Sequence, residues 1–208
     1  MSAPENLTRA FDGLASRVDA TGFRSVGFTS ALQGEGVSTT ALGTALSLAA
    51  LRQEDVLLID ANWIEPSLTR DARAESAAGL ADYLANKSDL ASVIRPASRS
   101  RLAFMPVGDR ASARPTLRSL SALLAGDAVA DRTIIVDLPP ILAGEPFVLP
   151  WAALLDQLFV VLREAATPLP VVRQALARIG LATTPQIVLN RTVAPSADIA
   201  AAFAAART

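Results

Sequence analysis

The chain has neither cysteine nor histidine. The first absence excludes disulfides, thiolate nucleophiles and zinc–thiolate centres, and fits a reducing compartment. The second excludes Ser-His-Asp triads and histidine-ligated metals within the chain. Aromatic residues make up only 5%, and Tyr83 is the sole tyrosine. No run of about 18 consecutive apolar residues occurs, and the N-terminus lacks a signal-peptide pattern. The expectation is a cytoplasmic protein, or one peripheral to a membrane through a partner. Charge of one sign is also missing: 19 basic residues face 20 acidic ones, which gives no reason to expect a nucleic-acid partner. What remains is 51% hydrophobic over 208 residues. That is enough for a single alanine- and leucine-rich α/β domain with a sizeable core.

Apolar runs alternate with amphipathic stretches. Strands are predicted at Val26–Thr29, Val56–Ile59, Leu102–Pro106, Thr133–Val136, Gln157–Leu162 and Gln186–Leu189. Helices are predicted at Ser38–Leu51, Leu117–Leu124, Phe147–Leu154 and Pro168–Ile179. Short β-branched runs separated by helix-length segments imply a doubly wound, mostly parallel sheet with helices on both faces. A single domain over 1–208 is expected, with an N-terminal helix in 1–22 and an alanine-rich C-terminal helix in 195–208. Leu7, Phe11, Leu14 and Val18 share one face of the first helix. That face can pack on the sheet of its own domain or dock a neighbour.

The segment Gly34-Glu35-Gly36-Val37-Ser38-Thr39-Thr40 follows the first strand and opens a helix. Glycines there let consecutive backbone N–H groups face phosphate oxygens, the helix N-terminus adds a positive dipole end, and Ser38 is placed to hold magnesium. Gly34, Glu35, Gly36, Val37, Ser38 and Thr39 are therefore the expected nucleotide-binding residues. The position at which a phosphate-binding loop carries lysine is Val37.

Doubly wound sheets bind ligands at the C-terminal ends of their strands. Asp60, Asp137 and Asn190 end the second, fourth and sixth predicted strands, converging on the edge that carries the loop. Carboxylates in that place orient hydrated magnesium, so Asp60 and Asp137 are the expected catalytic residues and, with Ser38, the expected metal site. A helix cap or turn is the plainer use of either aspartate. A dinucleotide site reading Gly34-x-Gly36 with Asp60 on the ribose is a competing account. Thr39 at the third glycine position opposes it, as do the residues Ser30 to Gln33 between strand and glycines.

These motifs, in their order, resemble the bacterial tyrosine kinases of capsule and exopolysaccharide synthesis, within the MinD/ParA-like deviant-Walker P-loop ATPases. Thr29-Ser30 through Thr40 is similar to the family's T-S-x-x-P-G-E-G-K-S-T-T, and Val56–Asn62 to its L-L-I-D-A-D motif. Gly79-Leu80-Ala81-Asp82-Tyr83-Leu84 is similar to G-L-S-D-x-L, and Ile134–Pro140 to I-I-I-D-T-P-P. Val188-Leu189-Asn190 falls where related ATPases contact adenine. The resemblance implies a P-loop fold, ATP or ADP with Mg²⁺ as ligand, and a partner at the cytoplasmic end of an inner-membrane polysaccharide co-polymerase. It implies no nucleic-acid partner, membrane contact only through that partner, and leaves a homo-oligomer open.

The departures cluster at the chemistry. Val37 replaces the loop lysine, Gln33 a proline and Asn62 the second aspartate, while Leu32 stands where partitioning ATPases carry a signature lysine. Glu5 and Arg9 do not reproduce the family's E-x-x-R-x-x-R oligomerisation pattern, and the tyrosine cluster that these kinases phosphorylate is missing. The expected function is a degenerate kinase-like regulatory or structural component of polysaccharide synthesis and export, with weak or absent ATP hydrolysis. The alternatives are an active ATPase or tyrosine kinase in which Arg110, Arg114 or a neighbouring subunit's arginine supplies the cation, and a partitioning-type positioning ATPase.

Overall fold

The computed structural model describes residues 3–51, 55–97, 101–164, 166–180 and 184–190, with side chains from residue 11 onward. The expected C-terminal helix in 195–208 and the side chains of Glu5, Leu7 and Arg9 lie outside the described residues. In chain order the elements are α1 (Ala3–Thr21), β1 (Ser25–Ser30), α2 (Val37–Leu51), β2 (Asp55–Asp60), α3 (Ser67–Asp71), α4 (Leu80–Leu84), α5 (Leu90–Val93), β3 (Arg95–Pro96), β4 (Leu102–Met105), α6 (Leu117–Leu124), β5 (Arg132–Asp137), α7 (Ile141–Ala152), β6 (Gln157–Arg163), α8 (Leu169–Ile179) and β7 (Gln186–Asn190).

The strands form one sheet in the order β3-β4-β2-β5-β1-β6-β7. All neighbours run parallel except the two-residue β3, which pairs antiparallel with β4 at an edge. Side chains alternate across the pleat with period two. Leu57, Ile59, Ile134, Val136, Leu158, Val160 and Leu162 join the core on one face, under α4 to α8. Val56, Leu58, Ile135, Phe159 and Val161 join the core on the other, under α1 and α2. Both faces being covered explains why the central strands read as unbroken apolar runs.

α1 packs on α2 rather than presenting a free face. Val18 is fully buried, and Phe11 and Leu14 are half-buried against the same apolar cluster. The Phe11 ring sits so close to α2 that a Cβ built on Gly43 would lie 2.0 Å from it. The helix expected at Phe147–Leu154 is longer at its start. It begins at Ile141, and Pro146 and Pro150 lie inside a helix kinked at Gly144 (φ −134°, ψ 28°). Proline is ordinarily a helix breaker, and its two occurrences hid the first turns.

Candidate functional site

β1 ends in a turn built on two glycines with positive φ, Gly34 (+84°) and Gly36 (+87°). A β-carbon is strained in that region, so the loop shape depends on them. The Thr40 N–H donates to the Gly36 carbonyl at 3.0 Å as α2 begins. Beside the loop lies a cleft of about 380 Å³, lined by residues 33–39 and, across from them, by Asn62, Glu65, Ser67 and Arg70.

β2 and β5 are neighbours, and their register sets Asp60 directly beside Asp137. Both carboxylates are fully buried. Their surroundings differ. Asp60 Oδ2 accepts the Thr69 N–H and the Thr69 hydroxyl, each at 2.8 Å, and Oδ1 accepts the Asn62 N–H at 3.1 Å. The Val107 N–H in turn donates to Thr69 Oγ1 at 3.0 Å, tying α3 to the segment after β4. Burial still outweighs these bonds and the nearby Arg110 charge, pushing the Asp60 pKa up to about 6. Asp137 has no hydrogen-bond partner on either oxygen. Burial, then the Asp60 charge, drive its pKa well above the usual carboxylate range, with slight relief from the nearby Ser38 hydroxyl.

A buried carboxylate with two orphaned oxygens is costly unless it is protonated or faces a cation. The oxygens on hand, Asp137 and Ser38, are the hard donors that magnesium takes, with water filling the remaining positions. The residues therefore fit the expected ion. Ser67 donates its hydroxyl to Ser38 Oγ at 2.9 Å, which holds Ser38 at the mouth of the cleft.

The remaining expected residues lie as follows. The Glu35 side chain is held by β6 and the segment before α8: its buried carboxylate accepts the Arg163 N–H and the Thr167 hydroxyl. Asn190 donates its amide to the Glu35 carbonyl at 3.0 Å and lies outside the residues lining the cleft. Its place is as a brace for the loop from β7. Val37 is 9% exposed and belongs to the apolar cluster that includes Ala41 and Leu68. Asn62 uses its side-chain oxygen on the Ile64 and Glu65 N–H groups, at 3.2 and 2.9 Å, to close the turn after β2.

Arg110 and Arg114 lie on a second cleft of about 920 Å³, with Trp63 and Phe147. The Arg110 guanidinium donates to the Trp63 and Ile64 carbonyls, at 2.6 and 3.2 Å. Arg114 covers the Phe147 ring at 5.9 Å. Neither lines the loop cleft. Trp63 is 6% exposed and stacks on Phe147 with centroids 5.8 Å apart, so it packs over its own loop instead of offering an anchor to a partner. Arg70 and Glu65 were not singled out by the sequence, because nothing in the turn after β2 marks which side chains face the cleft.

A glycine loop between strand and helix, two strand-end aspartates and this strand order give the chain the fold of the MinD/ParA-like P-loop NTPases. Within that class the relatives are bacterial tyrosine kinases. The chain is 31% identical to tyrosine-protein kinase YwqD of Bacillus subtilis (strain 168) over 123 residues, 58% of this chain. That match spans about half, 52%, of the relative's length. Among solved structures, the VpsO kinase domain superposes with a TM-score of 0.76 at 26% identity, covering 90% of this chain and 95% of that one. The kinase domain of the Escherichia coli tyrosine kinase ETK gives 0.64 at 21% identity, over 83% and 70% of the two chains. The MinC:MinD cell division complex of Aquifex aeolicus gives 0.61 at 20% identity, over 80% and 68%. No family model matches the chain. Among the described residues no helix is long and apolar enough to cross a membrane.

Proposed function

We propose that the protein is a degenerate relative of the bacterial tyrosine kinases, one that keeps a nucleotide-binding cleft and has lost most phosphoryl-transfer activity. The observation that carries the reading is Val37, an apolar, packed side chain at the loop position where the similar motif has lysine. Ser38, Asp60 and Asp137 support retained binding of ATP or ADP with Mg²⁺, the ion supplying charge neutralisation at the phosphates when bound. Around it this chain's residues divide the work. Backbone N–H groups of residues 34–39 receive phosphate oxygens, Asp137 and Ser38 hold the hydrated cation, and Asp60 positions α3 through Thr69. Catalysis suffers more than binding, because charge growing on the transferring group needs cationic stabilisation that valine does not provide.

By its likeness to kinase domains, the protein acts beside the cytoplasmic end of an inner-membrane polysaccharide co-polymerase, as a regulatory or structural component of polysaccharide synthesis and export. Trp63 is packed internally and Phe11 is half-buried against α2, so neither is a free anchor for that partner. An active enzyme with a noncanonical cation is the second reading, favoured by the intact Asp60–Asp137 pair. Purified protein is expected to hydrolyse Mg-ATP negligibly; turnover that vanishes in Asp137→Ala would establish the second reading instead. Co-purification with a membrane co-polymerase tests the assignment to export, and recovery only as a free species with unchanged polysaccharide output on deletion would remove it.

Val37→Lys is expected to tighten Mg-ATP binding about tenfold or more, since a charge-assisted hydrogen bond contributes about 1.5–3 kcal/mol. The lysine stem can lie along the apolar wall that Val37 occupies while its ammonium reaches the cleft. A calorimetric titration decides it. An unchanged affinity in a folded variant would mean that the loop does not cradle phosphate.

A further inference from the structure

The cation missing from the loop has a counterpart across the cleft. Lys87 is the only lysine in the sequence, and its ammonium is engaged by the Ser112 hydroxyl at 2.6 Å and by Asp109 at 3.7 Å. Any other side-chain cation must be an arginine. Arg110 and Arg114 are committed to carbonyls and to the Phe147 ring on the second cleft. Among the described residues lining the loop cleft, Arg70 is the one cationic side chain. It stands on α3, three residues beyond Ser67, whose hydroxyl meets Ser38. The adjoining Thr69 anchors α3 to Asp60.

Arg70 faces Glu65 at 3.6 Å, and both side chains are about half exposed (56% and 45%). Glu65 also accepts the Gln33 amide from the loop. Gln33, Glu65 and Arg70 thus form a chain of polar contacts from the glycine loop to α3 along the wall of the cleft.

We propose that Arg70 is the phosphate-binding cation that replaces the loop lysine, and that Glu65 holds it in the ligand-free state in the place of a phosphate. The inference rests on the nucleotide reading above. A half-exposed ion pair is weakened by solvent screening. A guanidinium grips phosphate through two parallel N–H···O bonds, and a polyphosphate carries more charge than one carboxylate. Exchange of Glu65 for phosphate therefore favours the ligand. Glu65, left unpaired beside phosphate, repels it, so Glu65 sets a threshold against weakly charged ligands.

Calorimetric titration of the full chain with Mg-ATP, at low and moderate salt, tests this. Arg70→Ala is expected to weaken binding about tenfold, Arg70→Lys to keep part of the affinity, and Glu65→Gln to strengthen it several-fold. Thermal melts of the free variants should stay near the parent, because both side chains are largely solvated. In a Val37→Lys background Arg70→Ala should cost less, since two cations then serve the same phosphates and their effects are not additive. If the parent binds Mg-ATP and Arg70→Ala binds equally well, this inference falls and the nucleotide reading stands. If the parent shows no binding at millimolar Mg-ATP, both fall together.

Discussion

Asp137→Asn is expected to raise the stability of the free protein at neutral pH and to abolish its response to magnesium. Burial raises both Asp60 and Asp137 above the ordinary aspartate range, Asp60 to about 6. The folded state therefore binds protons more tightly than the unfolded chain does. Stability from these groups is greatest near the unfolded aspartate value of about 4 and falls as pH rises through about 6. At pH 8 the folded chain must either bury a second charge beside Asp60 or hold a proton on Asp137 that the unfolded chain releases, and both cost stability. Removing the Asp137 carboxyl should return on the order of 2 kcal/mol, or roughly 4–8 °C in melting temperature for a chain of this size. At pH 4.5 the gain should nearly disappear. Thermal denaturation across that range, with and without Mg-ADP, gives the answer. Parallel profiles for parent and variant would show that the Asp137 carboxyl titrates alike in the folded and the unfolded chain. A magnesium-dependent stabilisation surviving in Asp137→Asn would place the cation elsewhere.

The second large effect is structural. A Cβ on Gly79 would lie 2.1 Å from the Pro106 carbonyl oxygen and 2.6 Å from the Gly108 nitrogen, both backbone atoms with no side-chain freedom to yield. The approach is this close because the first N–H groups of α4 bond the segment after β4. Leu80 donates to Pro106 and Ala81 to Val107, both at 2.8 Å. Asp82 reinforces the seam by accepting from the Gly79 and Asp109 N–H groups. Gly79→Ala must open it, at a cost of about 3 kcal/mol, or a fall of roughly 6–12 °C in melting temperature. Thr69 bonds the neighbouring Val107, so the disturbance should reach Asp60 and weaken Mg-ATP binding as well. A variant melting within a degree or two of the parent would contradict the close packing described for α4.

Much of this fold is legible in the sequence because parallel strands covered on both faces need uninterrupted β-branched and aliphatic runs. Thr133–Val136 and Val56–Ile59 are such runs, and each lies inside a strand ending in its aspartate. The short elements carry no such signal. α3, α4 and α5 have five, five and four residues, too few for a helical period to emerge. β3 is two residues defined only by its partner. The same division runs through the site. The glycines and the strand-end aspartates are visible because backbone geometry dictates their type. What Glu35 and Asn190 do is not visible, because each is defined by a contact more than a hundred residues away in the chain: Glu35 with Arg163 and Thr167, Asn190 with Glu35. Arg70 gains its meaning only when α3 folds back over the loop.

The buried Glu35 carboxylate bears on how the cleft meets a ligand. A glycine-rich loop free in solution would have to surrender backbone freedom on binding, about 1–2 kcal/mol for each residue fixed. Here β6 and the start of the segment before α8 hold Glu35 by its side chain, and β7 holds it by its carbonyl. The loop is pinned by its neighbouring strands before any phosphate arrives. Its ordering entropy is charged to folding, so association starts from a preorganised receptor. High backbone order parameters at Gly36 and Val37 in the ligand-free protein would be the signature of that rigidity. A cradle so fixed can lose its strongest charge and still keep its shape.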